Sequence, residues 1–547
     1  MKRYYLMCLM ALSACSGSNI SITDETSGGD SSDSGITTID RTIKINFSEE
    51  GAVISGDELG IVTANNNDVT VSNTSTECIT YELSGIASDG FFKLYSSAKQ
   101  VIKLDGLSLK NPSGAAINNQ SHKYTSVIVS GENTLEDGAV NSSGDYPDET
   151  SGEDMKAAFF SEGQLVFSGD GSLTVSANGK AGITSDDYII INDSPSIKIT
   201  STGGHGLRGK ESVGINGGSI SITTSATGKK GISTDGSLYM AGGTVSIVST
   251  SDAGISDGEL TGAAGIKADG IFSIDGGNLN VTVSGKGCKG ISCDSDGKFN
   301  GGTVTVKATG ANYGNSSSQR PGWSDASSSK SSKGIRFEGN LEFNGAAVEV
   351  VSAAHEGIEA KGTISITAGA LISTASDDAL NSGSHLTISG GTVRAISTGN
   401  DGIEANGNMY IKGGYIYAVG SGSPELGLDA NTEQSFKLYI SGGTLLAFGG
   451  IESGASITQP VLNVSSWKSG ETYSLYSGET LLLEFSAPDK GGNGVVISTP
   501  DLVSGSSYTL KSSSGSTSVK AALTSQGGNT GGPGGGGNPG GGPGGRP

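Results

Sequence analysis

Carboxylates recur at regular intervals along the C-terminal half of this 547-residue chain. Glu359, Asn381, Glu404, Asp429 and Glu452 follow one another at spacings of 22 to 25 residues. A second series, Glu356, Asp378 and Asp401, keeps step three residues earlier, and Asp377 lies beside it. If that period is one turn of a stacked structure, each series becomes a column with neighbours about 4.8 Å apart. Like charges at such a distance repel by roughly 1 kcal/mol in water and by several at an effective dielectric near 20. A ladder of that kind is poor surface design unless something neutralises it. Ca²⁺ takes about 6 to 8 oxygen ligands, carboxylates and carbonyls among them, and stacked turns offer both. The residues expected to hold it are Glu356, Glu359, Asp377, Asp378, Asp401, Glu404 and Asp429. The alternative is a row of solvated turn acids, because Asp and Asn favour turns in any case. Upstream, Asp186, Asp235, Asp269, Asp294 and Glu338 form a weaker column, interrupted by Lys210 and Gly258. Zinc and iron fit badly, since the His and Cys residues do not combine at ligand spacing.

Aromatic residues offer a second kind of contact. Tyr239, Tyr410 and Tyr439 each stand three residues before a Gly-Gly pair, between apolar positions, and should face outward. Outward rings can stack on sugar rings or simply pack against neighbouring side chains. Trp323, with Tyr313 and Arg320, lies in a Ser-rich stretch where a tryptophan has no evident core role. Tyr410, Tyr439 and Trp323 are the rings expected to contact a ligand. No Gly-x-Ser-x-Gly elbow or phosphate loop stands in a convincing context.

The elements that must position these residues announce themselves by repetition. A dipeptide returns as Gly182-Ile183, Gly206-Leu207, Gly231-Ile232, Gly290-Ile291, Gly357-Ile358, Ala379-Leu380, Gly402-Ile403 and Gly427-Leu428, mostly 22 to 25 residues apart. One step is 11 residues, where Gly254-Ile255 and Gly265-Ile266 duplicate it; another is 44, where Ala311 to Ser332 is inserted. Gly-Gly pairs fall between, each followed by an alternating run such as Thr244-Val245-Ser246-Ile247. A fixed period of short strands and glycine turns, without helical periodicity, marks a solenoid. Three short strands fit each period, so the expected fold is all-β, a right-handed parallel β-helix. Residues 41–155 should form irregular first rungs and a cap, 156–455 the regular β-helix, and 456–525 a small β module. The tail, 526–547, is Gly, Asn and Pro and cannot pack.

Composition narrows the function. There are 90 glycines, more than twice the usual ~7%, but without collagen's three-residue period. The net charge is −21, which repels nucleic acid and attracts divalent cations. No apolar run reaches the ~18 residues of a membrane-spanning helix. The N-terminus reads as a secretory leader over 1–14, with a basic Met1-Lys2-Arg3 and a short apolar stretch. Leu12-Ser13-Ala14-Cys15 resembles a bacterial lipobox, so Cys15 is expected to carry lipid, with a flexible tether to residue 40. That places the body on the bacterial envelope, at the outer membrane or cell surface. Cys288 and Cys293 could form a local disulfide or remain buried thiols.

The phrases Ala157-Ala158-Phe159-Phe160-Ser161-Glu162-Gly163, His355-Glu356-Gly357-Ile358-Glu359-Ala360, Ser376-Asp377-Asp378-Ala379-Leu380 and Asn400-Asp401-Gly402-Ile403-Glu404-Ala405 resemble a family of bacterial carbohydrate-binding surface proteins. The resemblance spans roughly Ile43 to Pro500. It implies a parallel β-helix like that of pectate lyases, bound calcium, and recognition of plant-type polysaccharides including polygalacturonate. The 22-residue insertion departs from the pattern. Asp186-Asp187, Gly204-His205-Gly206 and Arg208…Lys210 are similar to elements of polygalacturonases, which hydrolyse glycosides with two carboxylates. No Asn-Thr-Asp element precedes them, however, and Arg208 and Lys210 share the rung of His205. A lyase would need a base near the metal, for which Arg336 or Arg394 could serve. The expected function is carbohydrate binding through Ca²⁺ without catalysis; a pectinase-type lyase or hydrolase and a structural adhesin are the rivals.

Overall fold

The computed structural model describes residues 35–36, 38–256, 259–314 and 329–524. Cys15, Arg320, Trp323 and the C-terminal tail lie outside the described residues. Short strands with apolar alternate positions cannot bury those side chains alone, so the chain winds them into coils that stack in parallel. The expected all-β parallel β-helix is the fold. One face is a sheet of 15 strands. Along it Ile183, Leu207, Ile232, Ile266, Ile291, Ile335, Ile358, Leu380, Ile403 and Leu428 stand in register and buried. The other two faces are joined in a 27-stranded sheet. They begin as separate short strands, such as Ser237–Met240 and Thr244–Ser249, and run together in Leu341–Ser352, Ile364–Ala375, Met409–Val419 and Leu438–Phe448.

The two glycine signals have different causes. A Cβ at Gly182, Gly206, Gly231, Gly265, Gly290 or Gly334 would lie only 2.2 to 2.5 Å from Ile199, Ile222, Ile247, Val281, Val306 or Val350, respectively. These glycines leave room for a core column of branched residues. That column then shrinks in register to Ser373, Ala395 and Ala418, and it is there that Ala379 replaces the glycine. The second glycine of each Gly-Gly pair is needed for its backbone. Gly218, Gly243, Gly277, Gly302, Gly391, Gly414 and Gly443 have φ between 75° and 86°, where a side chain is strained.

The irregular spacings become excursions. Gly254–Ser256 pairs with Glu259–Thr261 in a two-stranded hairpin, leaving Ile255 72% exposed, while Gly265-Ile266 takes the place in the coil. Tyr313 and Lys330 bridge near the two ends of the inserted stretch 311–332. Parallel pairing starts at Arg41–Phe47 with Ile79–Ala87. At the other end Gly492–Ser498 runs antiparallel to both Leu438–Phe448 and Val461–Trp467. This covers the sheet edge, and a four-stranded antiparallel module packs beside it. Cys288 and Cys293 are buried free thiols at opposite ends of one strand. Five residues at about 3.3 Å each separate them beyond the ~7 Å that a disulfide spans.

Candidate functional site

Both carboxylate series form columns on the 15-stranded face. Arg336, Glu359, Asn381, Glu404 and Asp429 are paired in register on successive strands. Glu356, Asp378 and Asp401 occupy the turn before each strand and are only 7%, 3% and 5% exposed. Their coils are joined through the backbone, Gly357 N–H donating to Asp378 O and Ala379 N–H to Asp401 O.

Electrostatically the cluster divides in two. In the first part every carboxylate has a cation. Lys333 Nζ lies 3.0 Å from Glu356 and 2.5 Å from Glu359, and Arg336 Nε lies 3.3 Å from Glu359. Lys361 also pairs with Glu359. Burial alone would raise Glu359, but Lys333 and Lys361 outweigh it and hold the carboxyl down at about 2. His355 touches Glu356 and lies 3.0 Å from Asp377. Burial opposes its charge, yet Asp377 and Glu356 keep the imidazole protonated up to about 9. His355, Glu356 and Asp377 bring three ligand atoms within metal-binding reach.

In the second part no basic group pairs with Asp378, Asp401, Glu404 or Asp429 among the described residues. Asp378 accepts from Asp401 N–H at 3.0 Å and from Asn381 Nδ2 at 2.9 Å. Asp401 accepts from Leu426 N–H at 2.5 Å. Burial, with Asp378, Glu425 and Glu452 nearby, pushes Asp401 up to about 7. Burial first, and then Asp378 beside Glu404 and Glu452 beside Asp429, raise both acids. Four carboxylates thus share one partly buried strip of sheet, and among the described residues their partners are each other, Glu452, Asn381 and backbone N–H groups. This donor set, oxygen-rich and short of cations, fits a hard divalent ion.

Lys333 and His355, which neutralise the first part, were not singled out from sequence. Lys333 could have been, since it stands one period before Glu356 in the same turn column. A further acidic group, Asp154, Glu162 and Asp186, gathers beside Lys156. Glu162 stands one period before Asp186 in the same column, and Asp154 arrives from a loop.

The remaining candidates are placed as follows. Tyr410 and Tyr439 stack on each other, with ring centroids 5.0 Å apart and planes at 13°. Each ring therefore covers one face of the other. Lys412 lies over Tyr410, and Asn408 donates to its hydroxyl. His205 lies level with Gly182, its carbonyl accepting the Gly182 N–H, whereas Asp186 is at the far end of that strand. His205 Nδ1 accepts from Lys230 N–H at 3.1 Å, and burial together with Lys230, Lys229 and Arg208 pushes its pKa well down. Arg208 pairs with Asp235, and Arg394 lies over the Tyr417 ring.

No curated protein matches the chain. A solved structure, described as the polysaccharide lyase-like protein from C. thermocellum in a gadolinium derivative, is 23% identical. It covers 45% of this chain and 96% of its own, but at a TM-score of 0.34 the likeness carries no argument. A family model described as carbohydrate-binding domain-containing protein matches residues 65–265 and 225–379, together more than half of the chain. Those matches take in Glu356, Glu359, Asp377 and Asp378 and stop short of Asp401, Glu404 and Asp429. The chain belongs to the carbohydrate-binding domain-containing protein family.

Proposed function

We propose that this protein binds an acidic polysaccharide, of which polygalacturonate is the example, through Ca²⁺ at the acidic strip, and does not cleave it. The observation that carries the reading is the Asp378, Asp401, Glu404 and Asp429 strip without a basic partner among the described residues. A chain at −21 repels a polyuronate, and a bridging divalent ion reverses the sign of that contact. Bound there, the ion would neutralise the buried carboxylates and offer open positions to sugar oxygens. Asp378 and Asp401 would hold it from the turn, Glu404 and Asp429 from the strand. The first part, already neutralised by Lys333, Arg336 and His355, would set the rim rather than the ion site. Tyr410 and Tyr439, stacked as a pair, would offer their ring edges and the outer face of Tyr439 to sugar. Cys15 would anchor the whole to the bacterial envelope by lipid, leaving the solenoid outside the cytoplasm.

A glycan array run with Ca²⁺ and again with EDTA tests this. Polygalacturonate should bind only with Ca²⁺, and incubation should release no unsaturated or shortened products. Equal binding in EDTA would remove the bridge, and product formation would make the protein an enzyme.

A further inference from the structure

The two columns that are acidic toward the C-terminus are basic toward the N-terminus. The turn column that ends in Glu356, Asp378 and Asp401 starts with His205, Lys230, Ala264, Lys289 and Lys333. Beside it the strand column carries Arg208, Lys267 and Arg336 ahead of Glu359. Most of these cations have acids: Arg208 has Asp235, Lys267 has Asp269 and Asp294, and Lys333 and Arg336 have Glu359.

Lys230 and Lys289 are different. Among the described residues neither has an ion-pair partner within reach. Lys230 Nζ donates to Gly228 O at 2.9 Å, and the charges closest to it are those of Lys229, Lys267 and Arg208. Lys289 is surrounded by Arg336, Lys333 and Lys330. Burial, followed by these like charges, pushes both ammonium groups down to about 8. Acids outnumber bases 55 to 34 in this chain, so the missing carboxylates are not a matter of supply. A half-buried ammonium whose strongest electrostatic neighbours are cations, with Asp269 opposing them only weakly at Lys230, is costly to fold and calls for an anion from outside.

The geometry is that of a notch. Lys230, Ala264 and Lys289 are consecutive in register, so two ammonium-bearing side chains flank a single methyl group across roughly 10 Å of stacked strands. Excursions of the chain stand on either side. The hairpin residue Thr261 leans on the Gly228 turn beside Lys230, and Tyr313 with Lys330 leans on Gly287 beside Lys289.

We propose that Lys230 and Lys289 form an anion-binding site that takes a carboxylate or sulfate group of an acidic glycan lying along this face, by direct ion pairing and without a metal. That the anion is borne on a glycan rests on the carbohydrate-binding reading; the calcium strip is not required. An acidic chain would then be held directly over the basic half of the face and through a cation over the acidic half.

Lysine labelling with an amine-reactive reagent, quantified by mass spectrometry on the full chain in EDTA, tests it. Lys230 and Lys289 should each label at a measurable rate in the free protein, with the exposed Lys437 as the internal reference. Trigalacturonate should slow both by roughly tenfold at ten times its dissociation constant and leave Lys437 unchanged; neutral cellotriose should do nothing. Lys289→Gln should abolish the protection of Lys230 while raising the melting temperature, as removal of a frustrated charge does and loss of a structural lysine does not. Asp401→Asn should leave the protection intact. Absence of protection by trigalacturonate overturns the proposal, and inorganic sulfate protecting equally well overturns the glycan as its source. Because EDTA is present throughout, failure of the calcium reading leaves this result unaffected.

Discussion

A single methyl group decides which residues this coil admits. Gly290 has no Cβ because one would sit 2.2 Å from Val306 Cγ1, whereas Ala379 is accepted where the corresponding core residue is Ala395. Gly290→Ala should therefore destabilise by about 1 to 3 kcal/mol, the ordinary range for overpacking, measured by denaturant unfolding. Adding Val306→Ala should return part of that loss. Asp401 obeys a different balance. Its carboxyl is raised by burial and by Asp378, Glu425 and Glu452 to about 7, so the folded chain binds its proton more tightly than the unfolded chain. Its stabilising share is complete below its ordinary pKa, near pH 4, and is lost as pH rises through about 7, at up to about 1.4 kcal/mol per unit. In EDTA the melting temperature should fall across that window. Asp401→Asn should flatten the fall, raise the melting temperature of the chelated protein at alkaline pH, and remove most of the stabilisation that Ca²⁺ adds to the unaltered chain. A drop in stability from Asp401→Asn in EDTA would show the carboxylate to be structural.

At the scale of the element, each coil is a neighbour-stabilised unit. Phe272, Phe299 and the pair Phe337 and Phe343 occupy three consecutive levels of the core, with ring centroids 5.1 to 6.3 Å apart. Phe299 touches the other three, so Phe299→Ala should cost about 3 to 5 kcal/mol. In a solenoid that loss stays near its source. Hydrogen exchange should accelerate in strands from Phe272 to Ser352, while Arg41 to Glu136 remains protected; uniform acceleration would mean that the molecule opens as one unit. The same stacking explains the two excursions. The hairpin at 254–261 and the insertion after Ala311 leave and re-enter between strands, so they alter no register within the core.

Over the whole molecule, charge changes sign along two neighbouring columns of one face. One face runs from Arg208, Lys230 and Lys289 to Glu404 and Asp429, and the change of sign is sealed by Lys333 and Arg336 on Glu356 and Glu359. A long ligand lying on this face would meet one sign and then the other, which suits an extended polymer better than a compact one. The ends are protected from further pairing: the C-terminal strand edge is covered by Gly492–Ser498, which blunts the tendency of open sheet edges to add strands. The lipid anchor proposed at Cys15 is tested by removing the thiol. Cys15→Ala should move the protein from the membrane fraction to the soluble one; unchanged fractionation would mean that no lipid anchors it there.

Much of this was legible in the amino-acid order. A 22-to-25-residue period of Gly-Ile, Gly-Gly and alternating runs requires stacked short strands, and the same period brings Glu359, Glu404 and Asp429 into one column, because in a solenoid sequence spacing is spatial adjacency. The false period at Gly254-Ile255 also showed as an 11-residue step. What the order could not reveal is which acids are neutralised. Glu359 and Glu404 occupy the same column and differ in charge state, because Lys333, Arg336 and Lys361 reach one and no described cation reaches the other. The basic notch at Lys230 and Lys289 was hidden for the same reason. Periodicity fixes the backbone position of a side chain, but its charge depends on burial and on where the ends of its neighbours' flexible chains come to rest, and only the packed structure decides that.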